Sequence, residues 1–544
     1  MTYTTIQSIL AANLETNPDR QALVFGTRRY TYRELGEQVN RLTEQLAALG
    51  VRKGDKVAIA LPNWPEFVFS YFAILRLGAV VVLVNPRYRE METRHILRDS
   101  ESVAIILPVE FDGFDYLPTI QKLRPDLPAL RHVIAVGGKN ESADSGSLDG
   151  LSLDGGIPIP PGHALDFDEL ISRARGNPIP EADIDPATDI AVLMYTSGTT
   201  SAPKGAMITH SNFVWTTQVA SEPFQITSAD VFLVLVPTSH IIGFFCLNCA
   251  FYYHAKVILA DIFKAEPILE LIEREKVTVQ YAVPTIYSLE LASADKYDIS
   301  SLRTGLVAGA GVPAELIRRL IARGVHALIG YGMTEHSGGI ANTLFEDDAI
   351  AQTETVGRAL PGVALKLVDD NRRAVPDGQV GEIAIKSAGV MKGYYKQPEA
   401  TAAAFDADGW FYTGDLGCRD ERGYIRIVGR KKDMIIRGGY NIYPLEIEDL
   451  LRTCPGVLDA VVVAVADPVL GEKTCACIRA RPNTRPTAAE IKDFCRGKLA
   501  DYKVPDYVWF VEQFPETATG KILKARLKEQ VDRAVRETAT QVYR

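Results

Sequence analysis

An α/β architecture in more than one domain is what this sequence predicts, and three observations carry the prediction. Short apolar, β-branched runs alternate with helix-period segments through the first two thirds of the chain. Past about Gly357 the texture changes to alternating strands and tight turns, a pattern suited to antiparallel pairing. The chain has 544 residues, which at roughly 150 per domain makes three or four domains, or fewer if one is a large α/β unit. The expected arrangement is a large N-terminal domain of two α/β subdomains with a small antiparallel β layer or barrel, followed by a small α+β C-terminal domain.

Thr31-Tyr-Arg-Glu34 has the spacing of a capping box, Leu35, Val39, Leu42 and Leu46 share one helical face, and Gly50 stands where a C-terminal cap belongs. These residues predict one helix. Strand-length apolar runs follow at residues 57–61, 80–84, 103–107 and 133–136, with spacers long enough for crossover helices, so a mostly parallel sheet is expected. Residues 137–162 are rich in Gly, Ser, Asp and Pro and read as a mobile surface loop or linker. A second α/β series is expected from Ile190 onward, with strands at 231–236, 257–259, 277–281 and 306–308. The antiparallel part is expected at 364–368, 382–385 and 424–428. After the polar Gly429-Arg-Lys-Lys-Asp433, a terminal set follows: a helix at 445–452, a strand at 461–464, and helices at 488–499 and 522–529.

A hydrophobic fraction of 47% with 23% charged residues excludes a disordered, collagen-like or fibrous chain. Lys plus Arg number 59 against 68 Asp plus Glu, a net charge of −9, which argues against a nucleic-acid partner. Seven cysteines, at 246, 249, 418, 454, 475, 477 and 495, are too few and too irregular for a disulfide framework. Cys246-Leu-Asn-Cys249 and Cys475-Ala-Cys477 lie in apolar runs without matching His/Cys pairs, so buried thiols are expected rather than zinc half-sites. The first basic residue is Arg20, so no signal peptide is read, and the C-terminal Gln-Val-Tyr-Arg is not a peroxisomal address. The apolar stretch 231–253 is broken by Pro237, Thr238, Ser239 and His240, short of the roughly 20 residues a membrane helix needs. A cytoplasmic protein without a membrane span is expected, with peripheral membrane contact left open.

Chemistry concentrates first in Tyr195-Thr-Ser-Gly-Thr-Thr-Ser-Ala-Pro-Lys-Gly205, where glycines and hydroxyls follow an apolar run. Glycines let backbone N–H groups turn inward on an anion, hydroxyls add donors, and Lys204 adds charge, so the loop suits phosphate. It is not a Walker loop, because Lys204 precedes Gly205 and Ala206 rather than Ser or Thr. Ser201-Ala-Pro-Lys204 spells the Ser-x-x-Lys of some acyl-serine enzymes, but their partner motifs are missing. Further along stand Tyr331-Gly-Met-Thr-Glu335, Trp410-Phe-Tyr-Thr-Gly-Asp415, Gly429-Arg430 and Gly520-Lys521.

These five segments, in this order, resemble the motif set of the adenylate-forming superfamily of acyl-CoA synthetases, aryl-acid ligases, luciferases and peptide-synthetase adenylation domains. The resemblance covers essentially the whole chain and implies ATP, Mg²⁺ and coenzyme A as cofactors, with a small carboxylic acid as substrate. It assigns Thr196, Ser197, Gly198, Thr199, Thr200 and Lys204 to the loop holding the β- and γ-phosphates. Thr334 and Glu335 match the pair contacting the α-phosphate and binding Mg²⁺, an ion that wants oxygen ligands. Gly309, Ala310, Gly311 and Tyr331 match the adenine pocket, Asp415 the carboxylate that takes the ribose hydroxyls, and Arg430 a further nucleotide contact. Lys521 matches the C-terminal lysine that stabilises charge as a carboxylate attacks the α-phosphate. Lys432 matches the pivot, dividing residues 1–429, a hinge at 430–432 and a mobile domain 433–544. Gly438, Gly439 and Tyr440 resemble the segment lining the pantetheine tunnel. One departure is Ser201, where the family usually has glycine; a requirement for positive φ there would strain serine.

The acyl pocket of relatives lies between segments matching residues 240–245, 281–284, 307–311 and 330–339. His240 matches a residue that closes over the acyl carboxylate, and Ile241, Ile242, Phe244, Tyr281, Ala308, Gly330, Gly332, Ser337 and Gly338 are the expected walls. Gly330, Ser337, Gly338 and Gly339 are read as leaving space at the far end, which favours a medium- or long-chain fatty acid. An aryl acid fits the same slot. No Arg or Lys in these segments pairs a second carboxylate, and no aspartate anchors an α-amino group, so diacids and amino acids are disfavoured. His336 could bond a substituent or cap a helix. The expected activity is an AMP-forming acid–thiol ligase, with an aryl-CoA ligase or a carrier-loading acyl-AMP ligase as alternatives and a monomer or homodimer as the assembly.

Overall fold

The computed structural model describes residues 3–137, 164–177, 179–196, 203–496, 498–516 and 522–542, with side chains to residue 535. The linker expected at 137–162 lies, but for Gly137, outside the described residues. The chain folds as two compact units: Met1–Ala364 with Lys386–Gly409, and Leu365–Ile385 with Trp410–Arg544. The hinge expected at 430–432 falls within the second of these.

The first unit holds two large sheets. A seven-stranded sheet runs in the order Lys204–Thr209, Ile190–Thr196, Val80–Leu83, Lys56–Ile59, Ala104–Pro108, His132–Val136, Leu165–Asp166. It is parallel throughout except at the hairpin formed by its first two strands. A nine-stranded sheet has six parallel central strands, ordered His326–Met333, Thr304–Val307, Val279–Ala282, Val231–Val234, Lys256–Leu259, Gln21–Phe25. Antiparallel strands flank it on both sides. The strand expected to open the second α/β series, Ile190–Thr196, pairs instead with Val80–Leu83 of the first. Gln21–Phe25, near the start of the chain, joins the second sheet beside Lys256–Leu259. Buried parallel strands are apolar on both faces, so their local sequence does not say which sheet they enter.

The expected helix is present at Tyr32–Ala48, with Thr31 and Glu34 forming the capping box and Gly50 at φ 84° just past its end. Two helices are apolar all round. Every residue from Pro65 to Leu75 is buried, as is every residue of Ile241–Tyr252, so each must be covered on all sides. They pack against one another, Tyr71 on Phe244 with centroids 5.1 Å apart and Phe72 on Phe251 at 5.3 Å. Their polar link is Tyr71, whose hydroxyl donates to Asn248 Oδ1 at 2.9 Å. The interrupted apolar stretch 231–253 is thus a strand, a turn and a buried helix. Among the described residues no helix is long and apolar enough to cross a membrane.

In the second unit, Ala364–Val368, Val380–Lys386, Phe411–Arg419 and Ile425–Arg430 form a four-stranded sheet. The C-terminal part is built on the hairpin Val457–Asp467/Gly471–Ala480. Its alternation sorts side chains to opposite faces. Val462, Ala476 and Ile478 pack with Ile447, Leu451 and Ile491, whereas Val461, Val463, Cys475 and Cys477 pack with Leu527 and Val531. Cys475 and Cys477 are therefore core thiols, as are Cys246 and Cys249 on the buried helix. The helix expected at 488–499 stops at Cys495, where Arg496 turns extended, and the last helix reaches farther than expected, over Lys524–Val542.

His210 opens the helix His210–Ser221 and is 1% exposed, its Nδ1 accepting from Ile6 N–H at 3.4 Å. Burial, with the Lys53 charge adding and Asp189 opposing, pushes its pKa down to about 4. Between that value and the ordinary 6.5 the unfolded chain binds the extra proton, so stability is lost as pH falls through this window. In urea titrations at pH 7 and pH 5, His210→Gln should lose about 2 kcal/mol less than the wild type between the two conditions.

Candidate active site

In the first unit, the motif residues gather where parallel strands of the nine-stranded sheet end. Ligands of open α/β sheets bind beyond the carboxyl ends of their strands. The neighbouring strands Val231–Val234, Val279–Ala282, Thr304–Val307 and His326–Met333 lead respectively into the segments of His240, Pro284, Gly309 and Thr334. Gly309 has φ 87°, and with Ala310 and Gly311 it forms an exposed turn. Tyr331 is 9% exposed and pairs across the sheet with Ala341.

Asn63 closes the gap between the two sheets. Its Nδ2 donates to the carbonyls of Val234, Val236 and Ala260 at 3.0–3.2 Å, and its Oδ1 accepts from Thr238 N–H at 2.9 Å. The turn that Asn63 holds delivers His240, which caps the buried helix by accepting from Ile242 N–H on Nδ1 at 3.3 Å. Gly243 is required one turn in, since a Cβ there would collide with the carbonyls of Val236 and Pro237. Ile242 reaches the Gly309 turn, its Cδ1 3.1 Å from where a Gly309 Cβ would stand. Phe244 instead packs on Tyr71 and Phe213, fully buried. Phe245 lies beside Gly338 and stacks on Tyr281 at 5.8 Å. At about 100° per residue, 242 and 245 share a helical face and 244 does not.

Tyr281 is fully buried among Phe224, Phe232 and Phe245. The glycines read as open space, and Gly332 beside them, are places of close approach. A Cβ on Gly330 would meet Leu306 at 2.5 Å and Asn342 at 2.6 Å, one on Gly332 would collide with the Gly338 carbonyl, and one on Gly338 would meet Thr216 at 3.1 Å. Ala308 is 8% exposed.

Strand His326–Met333 ends in the turn Thr334–His336. Segment 387–394 holds that turn. Met391 N–H donates to the Glu335 carbonyl at 2.8 Å, Ser337 Oγ to the Gly389 carbonyl at 2.9 Å, and Tyr394 O–H to Glu335 Oε1 at 3.1 Å. His336, read as a substituent contact or helix cap, is fully buried inside the turn, with Nε2 2.6 Å from Ser387 Oγ. Burial pushes its pKa down to about 4. Ser337, at φ 58°, is likewise buried. Glu335 is 9% exposed.

The phosphate-loop candidates Ser197, Gly198, Thr199 and Thr200, and the departure at Ser201, lie outside the described residues. The flanks are a hairpin in which Thr196 pairs with Lys204. Lys204 Nζ sits 4.9 Å from the centre of the Tyr394 ring. Tyr394, which sequence reasoning missed, therefore touches both Lys204 and Glu335; its Gly-Tyr-Tyr context carries no recognisable chemistry.

In the second unit, Asp415 and Arg430 are cross-strand partners joined by an ion pair at 2.8 Å, the Asp415 side chain only 5% exposed. Lys431 is tied to Glu382 and Asp370, both at 2.9 Å, and Lys432 is exposed. Gly438 and Gly439, at φ 56° and 86°, turn the hairpin carrying Tyr440. Tyr440 is 58% exposed and stacks on Tyr502 at 4.6 Å. Lys521 lies outside the described residues.

Comparison with known families matches residues 10–395 to the model described as AMP-binding enzyme and residues 446–521 to its C-terminal domain. The chain belongs to the AMP-binding enzyme family. It is 36% identical to a putative acyl-CoA synthetase, YngI, of Bacillus subtilis, over 97% of both chains. It is 33% identical to the human mitochondrial medium-chain acyl-CoA ligase ACSF2, covering 97% of this chain and 88% of that one. Among solved structures, the anthranilate CoA ligase AuaEII in complex with anthranoyl-AMP superposes with a TM-score of 0.87, at 29% identity over 98% of each chain.

The turn that carries His240 is held by Asn63. Asn63→Ala removes the donor to three carbonyls and the acceptor for Thr238 N–H. It should lower stability by about 3 kcal/mol in urea unfolding, and Asn63→Asp, which keeps an acceptor but loses the donors, should not restore it.

Proposed function

We propose that this AMP-binding enzyme joins a carboxylic acid to coenzyme A through an acyl-adenylate. A carboxylate oxygen of the acid attacks the α-phosphorus of ATP, the bond to the bridging oxygen breaks, and pyrophosphate leaves. The sulfur of coenzyme A, its proton lost, then attacks the acyl carbonyl and expels AMP. The observation that carries this reading is the gathering of Gly309, Tyr331, Thr334, Glu335 and Ile242 at the carboxyl ends of adjacent strands, in a chain matched over nearly its whole length by acyl-CoA ligases.

In this reading the hairpin of Thr196 and Lys204 presents the loop 197–200 to the β- and γ-phosphates. The exposed Gly309-Ala310-Gly311 turn and Tyr331 flank adenine, and Asp415, held by Arg430, accepts from the ribose hydroxyls. Glu335 fits a magnesium ion. It is a nearly buried carboxylate oriented by Tyr394, and Mg²⁺ usually takes one or two carboxylates plus phosphate oxygens and water. Glu335 would supply one carboxylate oxygen to the ion, and phosphate oxygens and water would supply the rest. Bound there, the ion neutralises charge on the phosphates. His240 closes over the acyl carboxylate and Ile241 and Ile242 form an apolar wall. Lys521 stabilises the charge that builds as pyrophosphate departs. A pivot at Lys432 brings Lys521 in for adenylation and Gly438, Gly439 and Tyr440 in for thiol transfer.

A medium-chain fatty acid is the favoured substrate, supported by the apolar wall and by the name of the human relative. An aryl acid is the second reading, favoured by the anthranilate ligase superposition. Incubation with ATP, Mg²⁺ and a panel of fatty, aryl and amino acids should give AMP release that requires both coenzyme A and a C6–C12 acid. Pyrophosphate release without a response to coenzyme A would point to a carrier protein as acceptor. Lys521→Ala should slow pyrophosphate release about 100-fold or more while still transferring the acyl group from preformed acyl-AMP to coenzyme A.

A further inference from the structure

Tyr394 stands between two groups of opposite charge that reach it from distant parts of the chain. Its hydroxyl donates to Glu335 Oε1 at 3.1 Å, and its ring lies beneath the Lys204 ammonium at 4.9 Å. Its backbone is held from both sides. Residues 392–395 pair with the strand Lys204–Thr209 through Lys392 N–H to the Met207 carbonyl, Met207 N–H to the Gly393 carbonyl and Tyr395 N–H to the Gly205 carbonyl, at 2.8–2.9 Å. Met391 N–H is bonded to the Glu335 carbonyl, and Tyr394 N–H donates to Thr401 Oγ1 at 2.9 Å. The ring is thus placed by the same contacts that fix the two functional segments.

We propose that Tyr394 is a positioning residue for the metal–triphosphate: it orients the Glu335 carboxylate and holds the Lys204 ammonium beside it. The proposal rests on reading Glu335 as the magnesium carboxylate and Lys204 as a phosphate contact. A phenol donating to one carboxylate oxygen limits rotation of the group, so the carboxylate meets the ion in one orientation and loses less freedom on binding it. The ring face keeps a flexible four-carbon cation near the loop by a cation–π contact rather than in water. Because hydroxyl and ring serve different partners, two substitutions separate them. Tyr394→Phe removes only the hydroxyl, and Tyr394→Leu removes both.

The test is calorimetric titration of ATP into the full-length protein without acid substrate, first in EDTA and then over a series of Mg²⁺ concentrations, with thermal unfolding measured in parallel. Tyr394→Phe should keep the wild-type unfolding temperature and Mg²⁺-free ATP affinity, while the Mg²⁺ concentration needed for half-maximal tightening rises about tenfold. Tyr394→Leu should show the same shift and also bind Mg²⁺-free ATP about threefold more weakly. In turnover, Tyr394→Phe should raise the KM for ATP at limiting Mg²⁺ and regain the wild-type value at saturating Mg²⁺. A wild-type magnesium dependence in Tyr394→Phe overturns the proposal. So does a loss equal at every Mg²⁺ concentration that accompanies a lower unfolding temperature, which is the behaviour of a packing residue. Failure of the wild type to bind ATP at all overturns the underlying reading of the site instead.

Discussion

Two helices without a polar face govern the first unit. Pro65–Arg76, buried from Pro65 to Leu75 with Glu66 paired to Arg28, and Ile241–Tyr252, buried throughout, must be enclosed by other protein surfaces. They cover one another, with the Tyr71 hydroxyl and the Asn248 amide satisfying each other in the contact. From this enclosure follow the close packing at Gly243, the turn that Asn63 secures across both sheets, and the placement of His240 at the helix entrance. Ile242 is carried against the Gly309 turn by the same helix.

Two carboxylates, one in each unit, are held rather than left free. Glu335 is nearly buried, yet it sits in a turn whose carbonyls and side chains are bonded to a strand-like segment far along the chain. Asp415 is likewise nearly buried and held by Arg430. A buried carboxylate is costly unless hydrogen-bonded or paired, and each of these is. A carboxylate held in this way keeps one orientation towards whatever it binds. The chain leaves the four-stranded sheet of the second unit at Lys386, contributes residues 386–409 to the first unit, and returns at Trp410. The segment that holds Glu335 is therefore continuous with the strands that carry Asp415.

Legibility in the sequence followed the length scale of each interaction. The capping box at Thr31 and Glu34 and the strand runs are local, and the structure has them within a few residues of where they were read, the run at 461–464 forming the middle of Val457–Asp467. Sheet membership was not local: Ile190–Thr196 joined the first sheet rather than the second, and Gln21–Phe25, for which no strand was read, lies in the second, because their partners lie far along the chain. The glycines at 330, 338 and 339 were legible as small but not as filled, and Gly332 beside them is equally crowded. Their Cβ positions are occupied by Leu306, Asn342, Thr216 and the Gly338 carbonyl, so they bring strands together rather than open a long pocket. Phe244 and Phe245 illustrate the same limit, since one residue of helical rotation separates the core from the neighbourhood of Gly338.

By itself, the sequence determined the alternation of strands and helices, the apolar character of the run around His240, and an order of motifs that resembles the family's, because each is a pattern of neighbouring residues. Tertiary structure alone decided which strands share a sheet, which face of the buried helix meets the Gly309 turn, and that Tyr394 stands between Lys204 and Glu335. Those relations depend on side chains meeting across long stretches of chain, 59 residues in the case of Tyr394 and Glu335. Each is set by the packing of whole elements, and no local pattern of residues encodes it.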